Sequence, residues 1–489
     1  MIKQLIFLLF LLFYSCKTTK HINISPSKFD VNLNGDIIQK SLNIPKRSNQ
    51  KLVLSLKSGT YHVSKILVIS QPNTTIRFSP NSKIVFTSEE NCGILMLADN
   101  CTIENGYFKG NGISSKNFYK GCGVFLSGVD HCKVKNCTFS DISGNNIILL
   151  PNSKDKGCSF NLIEGNQIRN PKFNLESGSD AAGILLGYSG RGYSHNFNII
   201  KNNFIDGNNT LDIGIGIIGH GKGNLISNNK IMNLRSYGII SYVSKYAIES
   251  LSRTIIKNNE VKNIGEKYPD KTRKGMGIYV MGTYNAQILK NKVTNTLISR
   301  DKNETIGSGS ISVSLSPFSL IDGNEINHSA MYGITSAYSF HSNFVNNKIK
   351  NVAKSGMYFV SMSDVLIENN ILDSIGDSLF KGYFDDTSKP YIKEQGLAKI
   401  FQVKETGRNF IIRKNTLKTD NFLIDFKLVE DSDSSKILTD SNAKPNVFEY
   451  NTLKRTSVSK VEEISDLFIV NTKKRHFNLN RNKILVNKN

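Results

Sequence analysis

NLISNNKIMNLRSYGIISYVSK, residues 224–245, holds an Asn pair, an apolar residue two places after the second Asn, a short gap and then Gly-Ile-Ile. The cadence returns as TIIKNNEVKN (254–263), SLIDGNEINH (319–328), NFVNNKIKN (343–351) and VLIENNILDS (365–374). Indexed on the Asn two places before an apolar residue, the repeat runs through Asn166, Asn203, Asn229, Asn259, Asn291, Asn324, Asn347, Asn370, Asn415, Asn451 and Asn482. The spacing never falls below 23 and that minimum recurs, while the excess varies freely. A coil with a fixed core and expandable loops behaves in this way. Each coil reads as a Gly-led apolar strand, a turn, a strand such as NLIS, the Asn turn, a third short strand and a loop back. Three strands rich in β-branched residues, with one Asn per coil free to bond up and down the stack, predict an all-β fold: a single-stranded right-handed parallel β-helix with an Asn ladder. The dipeptides of a WD propeller and the stricter Leu intervals of a leucine-rich repeat are both missing.

The rest of the chain is organised around that solenoid. Residues 1–15 join one Lys to an apolar run too short for a confident membrane span, which predicts a signal peptide. FYSC at 13–16 resembles a bacterial lipobox, with Phe13 in place of the usual Leu, and predicts a lipid on Cys16. Residues 16–44 are expected to be a linker and an N-terminal cap, in which NLNGDIIQKSLN (32–43) has the spacing of a short amphipathic helix. The β-helix is expected over 45–489. No later stretch approaches the ~20 apolar residues of a span, so the lipid would be the membrane anchor of an exported monomer.

The formal charge is +22 over 489 residues, which predicts an anionic partner. Nucleic acid, an acidic membrane and an acidic polysaccharide all fit that balance; no nucleic-acid-binding signature is present, and nucleic acid is set aside. Six cysteines, Cys92, Cys101, Cys122, Cys132, Cys137 and Cys158, fall in one third of the chain without a C-x-x-C, which argues against zinc. Cys92 with Cys122, and Cys101 with Cys132, are about one coil apart. Stacked at ~4.8 Å they would be within disulfide reach, and reduced thiols filling the core fit as well.

With the ladder in place, the chain resembles the pectate-lyase-like superfamily of right-handed β-helix proteins over roughly residues 45–486. GTYHVSKILVISQPNTTIRFSPNSKIVFTS (59–88) is similar to the first coils of polygalacturonases and related carbohydrate-active β-helices. The resemblance implies a polysaccharide substrate and leaves lyase, hydrolase, epimerase and tailspike chemistries open. It also implies either no cofactor or a divalent cation such as calcium, for which Glu176 and Asp180 are the candidate ligands. The adjacent Asp pair of polygalacturonases is absent: SDAAG (179–183) has one Asp, and GHG (219–221) closes its strand instead of opening the next.

Aligning the Gly-led strands on Gly183, Gly216, Gly238, Gly277, Gly333 and Gly356 sends one outward file through Leu185, Ile218, Ile240, Tyr279, Thr335 and Tyr358. A second file runs through Gly187, His220, Tyr242, Met281, Ala337 and Val360. On this alignment His220 and Tyr242 are neighbours on an open strand face, with Lys222, Lys245 and Arg191 in the adjoining turns. β-Elimination on a uronide needs a base for the proton α to the carboxylate, a cation for that carboxylate and an acid for the leaving oxygen. Tyr242 would be acid or base, His220 its partner, and Lys222, Lys245 and Arg191 the charge stabilisers. Tyr188, Tyr279 and Tyr358 are candidate sugar platforms in a chain without Trp, and Arg273, Lys274 and Arg300 candidate subsite contacts. The expected activity is therefore a polysaccharide lyase cleaving an acidic, uronic-acid-containing polysaccharide. The alternatives are a glycoside hydrolase of polygalacturonase type, with Asp180 and Asp212 as its carboxylates, and a non-catalytic polysaccharide-binding or adhesive β-helix.

Overall fold

An inward-turned asparagine can bond the coils on both sides of it, and in this chain the amide of Asn229 does so. Its Nδ2 donates to the Ile200 carbonyl (3.1 Å) and to Asn259 Oδ1 (3.0 Å), while its Oδ1 accepts from both the backbone N–H and Nδ2 of Asn203 (2.9 Å each). The same relay runs from Asn166 to Asn482. A second relay, formed by residues five places earlier, links Asn161, Asn198 and Asn224. All of these amides but the last, the half-buried Asn482, are buried, so satisfying them fixes the register of each coil on the next.

The computed structural model describes residues 18–27, 33–47, 49–88, 93–111, 121–152, 156–172, 181–187, 194–242, 253–265, 275–298, 308–385, 409–418, 423–429, 446–455, 468–470 and 477–486. Within them the strands form three parallel sheets of 16, 14 and 15 strands, each strand pairing with its counterparts one coil before and after. One coil supplies Leu225–Ser227 to the sheet before the ladder turn, Lys230–Leu234 to the sheet after it and Tyr237–Tyr242 to the Gly-led sheet. Inward residues such as Ile226, Ile231 and Ile239 are fully buried, one or two per strand, and stack into a continuous apolar core.

The N-terminal cap is the predicted helix, Leu33–Leu42, with Ile38 and Leu42 buried and Ile37 exposed. Gln39 seals the solenoid end: its Oε1 accepts from the Val68 N–H (2.7 Å) and its Nε2 donates to the Val68 carbonyl (3.0 Å). Thr19–Ile24, expected to belong to a tether, instead adds a strand beside Lys51–Leu56. Its alternation HINI is that of a strand with one buried face. Among the described residues no helix is long and apolar enough to cross a membrane. The expected signal segment and Cys16 lie outside them.

Cys101, Cys122, Cys132, Cys137 and Cys158 are buried, unbridged thiols, and Cys92 lies outside the described residues. Cys132 and Cys137 head the two amide relays, with their N–H groups donating to Asn161 and Asn166. Cys101 and Cys132 are stacked as expected, Cys101 N–H donating to Cys132 Sγ at 3.4 Å, but as thiols. Burial pushes the Cys137 and Cys158 thiols up to about 12, as suits core-filling groups.

The Gly-led sheet corrects the register of the expected site. Ile213 pairs with Tyr237 and Ile218 with Tyr242, so the glycine equivalent to Gly238 is Gly214, not Gly216. A Cβ on Gly214 would lie 2.5 Å from the Gly238 carbonyl oxygen, as one on Gly238 would lie 2.5 Å from that of Gly277. The glycines are there so that successive backbones can pass at this corner. Gly216 is an outward position between Leu185 and Ile240, where a Cβ would meet only the end of the Leu185 side chain at 2.9 Å. Gly214→Ala is therefore expected to destabilise the protein by ~1–3 kcal/mol and Gly216→Ala far less, read as urea midpoints of the two variants; equal midpoints would contradict this register.

Candidate functional site

The outward face of the Gly-led sheet changes character along the solenoid. In its first half Ile148, Leu150, Ala182, Leu185, Ile213 and Ile240 point outward and are nonetheless buried, with Ile218, Tyr237, Tyr242 and Tyr279 half-buried against them. The rings of Tyr237 and Tyr279 stack at 5.8 Å, and the Tyr279 hydroxyl donates to Met281 Sδ (2.9 Å). Tyr242 thus stands between Ile218 and Met281 on an apolar face, not beside His220 on an open one. His220 lies beyond the end of its strand, forms a parallel bridge with Ser194, and accepts the His195 N–H on its carbonyl (2.9 Å). Partial burial lowers its pKa and favours the neutral imidazole. Lys222 is exposed in the following turn, where its N–H donates to Asn196 Oδ1 (3.0 Å). The shift by two residues separates the proposed acid–base pair, because GIGIIGHG offers two glycines at strand alternation and the second was aligned. Arg191, Lys245, Tyr188, Arg273, Lys274, Arg300, Glu176 and Asp180 lie outside the described residues. Asp212, the other half of the expected hydrolase pair, is fully buried against Arg235 (3.4 Å) and accepts the Ala181 N–H on Oδ2 (3.3 Å), a structural position.

In the second half of the face the outward file becomes polar. Thr335, Tyr358, Lys381 and Asp425 are direct register partners on four successive strands. Lys381 Nζ lies 3.3 Å from Asp377 Oδ2 and 3.5 Å from Asp425 Oδ2. The Asp377 side chain is half exposed, at 47%, whereas that of Asp425 is 11% exposed and its Oδ1 is buried with no hydrogen-bond partner among the described residues. Tyr358 stacks on Tyr332 at 4.8 Å, and Lys354 Nζ lies 5.5 Å above the Tyr332 ring. Burial works against the Lys381 ammonium, but Asp377 and Asp425 outweigh it and raise its pKa. Burial, and then the neighbouring phenol, push Tyr358 up to about 12 against the opposing pull of Lys381; burial, Asp377 and Asp425 do the same to Tyr332. At neutral pH the face therefore presents a fixed ammonium, held between two aspartates, and two phenols that hold their protons.

Of the residues in this cluster the sequence places Thr335 and Tyr358 in the outward file and gives a role to Tyr358 alone. Lys381 and Asp377 escape the alignment of Gly-led strands because no glycine leads their strand: Phe380–Asp385 belongs to the Gly-led sheet with Leu379 at the glycine position. Asp425 completes the cluster from Ile424–Val429, another strand without a leading glycine. Alternation in FKGYFD and IDFKLV was the available signal. Among the described residues no group of three or more His, Cys, Asp or Glu is placed to hold a metal ion.

A sequence profile described as "Right handed beta helix region" matches residues 122–299 and 216–484. No curated protein matches the chain. Among solved structures, the mannuronan C-5 epimerase AlgE6 A-module of Azotobacter vinelandii is similar at a TM-score of 0.54 and 11% identity, over 71% of this chain and 90% of that one. The catalytic domain of a GH87 α-1,3-glucanase D1068A, in complex with tetrasaccharides, is similar at 0.53 and 15%, over 74% of this chain and 66% of that one. This chain thus spans just under two thirds of the glucanase domain. A mannuronic-acid-specific polysaccharide family 6 lyase from human gut microbiota is similar at 0.51 and 14%, over 96% of this chain and 92% of that one. At these identities the likeness is one of fold.

Proposed function

Because the chain belongs to the right-handed β-helix family, a scaffold that stacks side chains from distant residues into files on open sheets, we propose that its Gly-led face cleaves an acidic polysaccharide by β-elimination. One observation carries the reading: Lys381 is held as an ammonium between half-exposed Asp377 and buried Asp425, in direct register with the protonated Tyr358. Lys381 would meet the uronate carboxylate and the charge that grows on it as the α-proton leaves. Asp377 would take that proton, and Tyr358 would give its own to the departing glycosidic oxygen. The C–H and C–O bonds break, the C=C bond forms, and the enzyme is reset by proton exchange with water. Asp425 would act as a positioning residue, keeping Lys381 charged and aimed. The net charge of +22 favours such a substrate, and two of the similar folds carry mannuronan or mannuronic acid in their names. Export and anchoring through Cys16 would place the enzyme where such polymers are met.

A second reading has its own observation. Asp377 and Asp425 both reach Lys381 Nζ, at 3.3 and 3.5 Å, so two carboxyl groups, the pair of side chains a glycosidase uses, converge on one point of the face. The test is incubation of the protein with a panel of uronic-acid polymers while following the ultraviolet absorbance of unsaturated uronides. Rising absorbance is expected. New reducing ends without it would replace elimination by hydrolysis, and binding without either product would leave a polysaccharide-binding protein.

A further inference from the structure

Around the corner from the cluster, where the sheet after the ladder bends into the Gly-led sheet, lies an elongated groove of about 730 Å³. One wall is a column of residues in left-handed backbone conformation, Asn263, Asn295, His328, Asn351 and Ser374, one per coil. Bulky side chains avoid that conformation and asparagine accepts it, which explains the polar column. Its amides relay along the axis, Asn263 Nδ2 donating to Asn233 Oδ1 (3.0 Å) and Asn295 Nδ2 to Asn263 Oδ1 (3.1 Å). His328 takes the next rung, where among the described residues the relay stops, and Asn351 Nδ2 donates to Asn327 Oδ1 (2.8 Å), so Asn295 Oδ1, the imidazole and Asn351 Oδ1 bring hydrogen-bonding capacity to the groove.

The floor is low for a stated reason. Asn324, Asn347 and Asn370 are each 23 residues apart, the minimal coil, and the returns there begin with Ala330, Ala353 and Gly376. A Cβ on Gly376 would lie 2.3 Å from the Ala353 carbonyl oxygen, so that rung admits no side chain. The groove leads to the cluster residue by residue: Ala353 precedes Lys354, which covers Tyr332, and Gly376 precedes Asp377, which pairs with Lys381.

We propose that this groove is a separate saccharide-binding surface, which holds a segment of the polymer along the solenoid axis and presents its continuation to the Lys381 cluster. Five rungs at the strand spacing make about 19 Å, and the volume lies within the ~300–1,000 Å³ of ligand sites. An extended 1,4-linked pyranose chain advances by a similar step per residue, so successive sugars meet successive polar rungs: the Asn295 and Asn351 amide oxygens, the His328 imidazole and the Ser374 hydroxyl. Its apolar ring edges would lie over Ile298, Ala330 and Ala353. The proposal rests on the polysaccharide reading, and it adds a length requirement that the cluster alone does not impose.

The experiment fills the groove without touching the cluster, using Ala353→Trp, with Asn351→Ala as a milder second variant. On the cleaved polymer Ala353→Trp is expected to raise KM about 5–10-fold, the loss of one or two hydrogen-bonded sugars, with kcat unchanged. On a trisaccharide of the same linkage both constants stay at the wild-type values. A polymer KM equal to wild type, or an equal loss on polymer and trisaccharide in a folded variant, would overturn the proposal. Should the wild type turn over neither, the elimination reading fails, and calorimetric titration of wild type and variant with the intact polymer decides the groove by itself: binding lost in Ala353→Trp supports it, binding retained ends it. A dimer in sedimentation that Ala353→Trp dissolves would give the groove to a second copy of this chain instead.

Discussion

Replacing Lys381 by Met lowers kcat/KM on the uronic polymer by roughly 10²–10³-fold, the loss expected when one preorganised charge is taken from a developing anion. The effect should fall mainly on kcat, because the carboxylate charge of the substrate grows between ground and transition state. Lys381→Arg keeps a cation on the face but replaces a compact ammonium with a planar fork, so it should recover only part of the rate. The pH range follows from the direction of the shift. Asp377 and Asp425 raise the Lys381 pKa above its ordinary value of ~10.4, so the ammonium is fully present at neutral pH. The stability this shift contributes is complete below the unfolded value and is lost only as pH rises through the folded one. Tyr358, pushed up to about 12, also keeps its proton through that range. Activity should therefore show no loss between neutral pH and pH ~9 that traces to either group. Stopped-time assays of Lys381→Met, Lys381→Arg and Tyr358→Phe over that range check this, and wild-type turnover by Lys381→Met would remove the cluster from the reaction.

How much of this was legible follows from the kind of signal each feature leaves. The ladder positions were readable because a buried amide that bonds both neighbouring coils tolerates no substitute of another shape, so Asn recurs whatever the loop length. The companion column at Asn161, Asn198 and Asn224 was equally present, five residues earlier, and went unread because Cys132 and Ser319 take the same place elsewhere. Outward files were harder. Five of the six residues assigned to the file of Tyr358 do belong to it, and the sixth, Ile218, fails with the same two-residue slip that misplaced His220. Strand alternation has period two, so a slip of two preserves every inside–outside assignment and alters only which coil-to-coil neighbours meet. Chemistry depends on those neighbours. Only the requirement for a missing Cβ at Gly214, invisible without the adjoining backbone, fixes them.

Asp212→Ala should be the most damaging single change to stability among those considered, costing about 3–5 kcal/mol, because it leaves the Arg235 guanidinium, 3% exposed, without its carboxylate in a low-dielectric corner. The pair is also bound into the backbone of that corner. The Asp212 carbonyl accepts from the N–H groups of Ser236 (3.1 Å) and Tyr237 (2.9 Å), and the Arg235 N–H donates to the Leu211 carbonyl (2.9 Å). Tyr237 begins the Gly-led strand whose ring stacks on Tyr279, so the loss should spread to the outward face and not remain at one turn. Replacing both partners, Asp212→Leu with Arg235→Met, removes the desolvation cost together with the attraction and should restore much of the midpoint. Urea melts of the single and double variants, followed by far-ultraviolet circular dichroism, measure the difference. A double variant no better than Asp212→Ala would mean that the carboxylate is retained for its hydrogen bond to the Ala181 N–H and not for the charge of Arg235. Neither change touches Lys381, so a folded double variant that keeps its kcat would separate what holds the solenoid together from what acts on its surface.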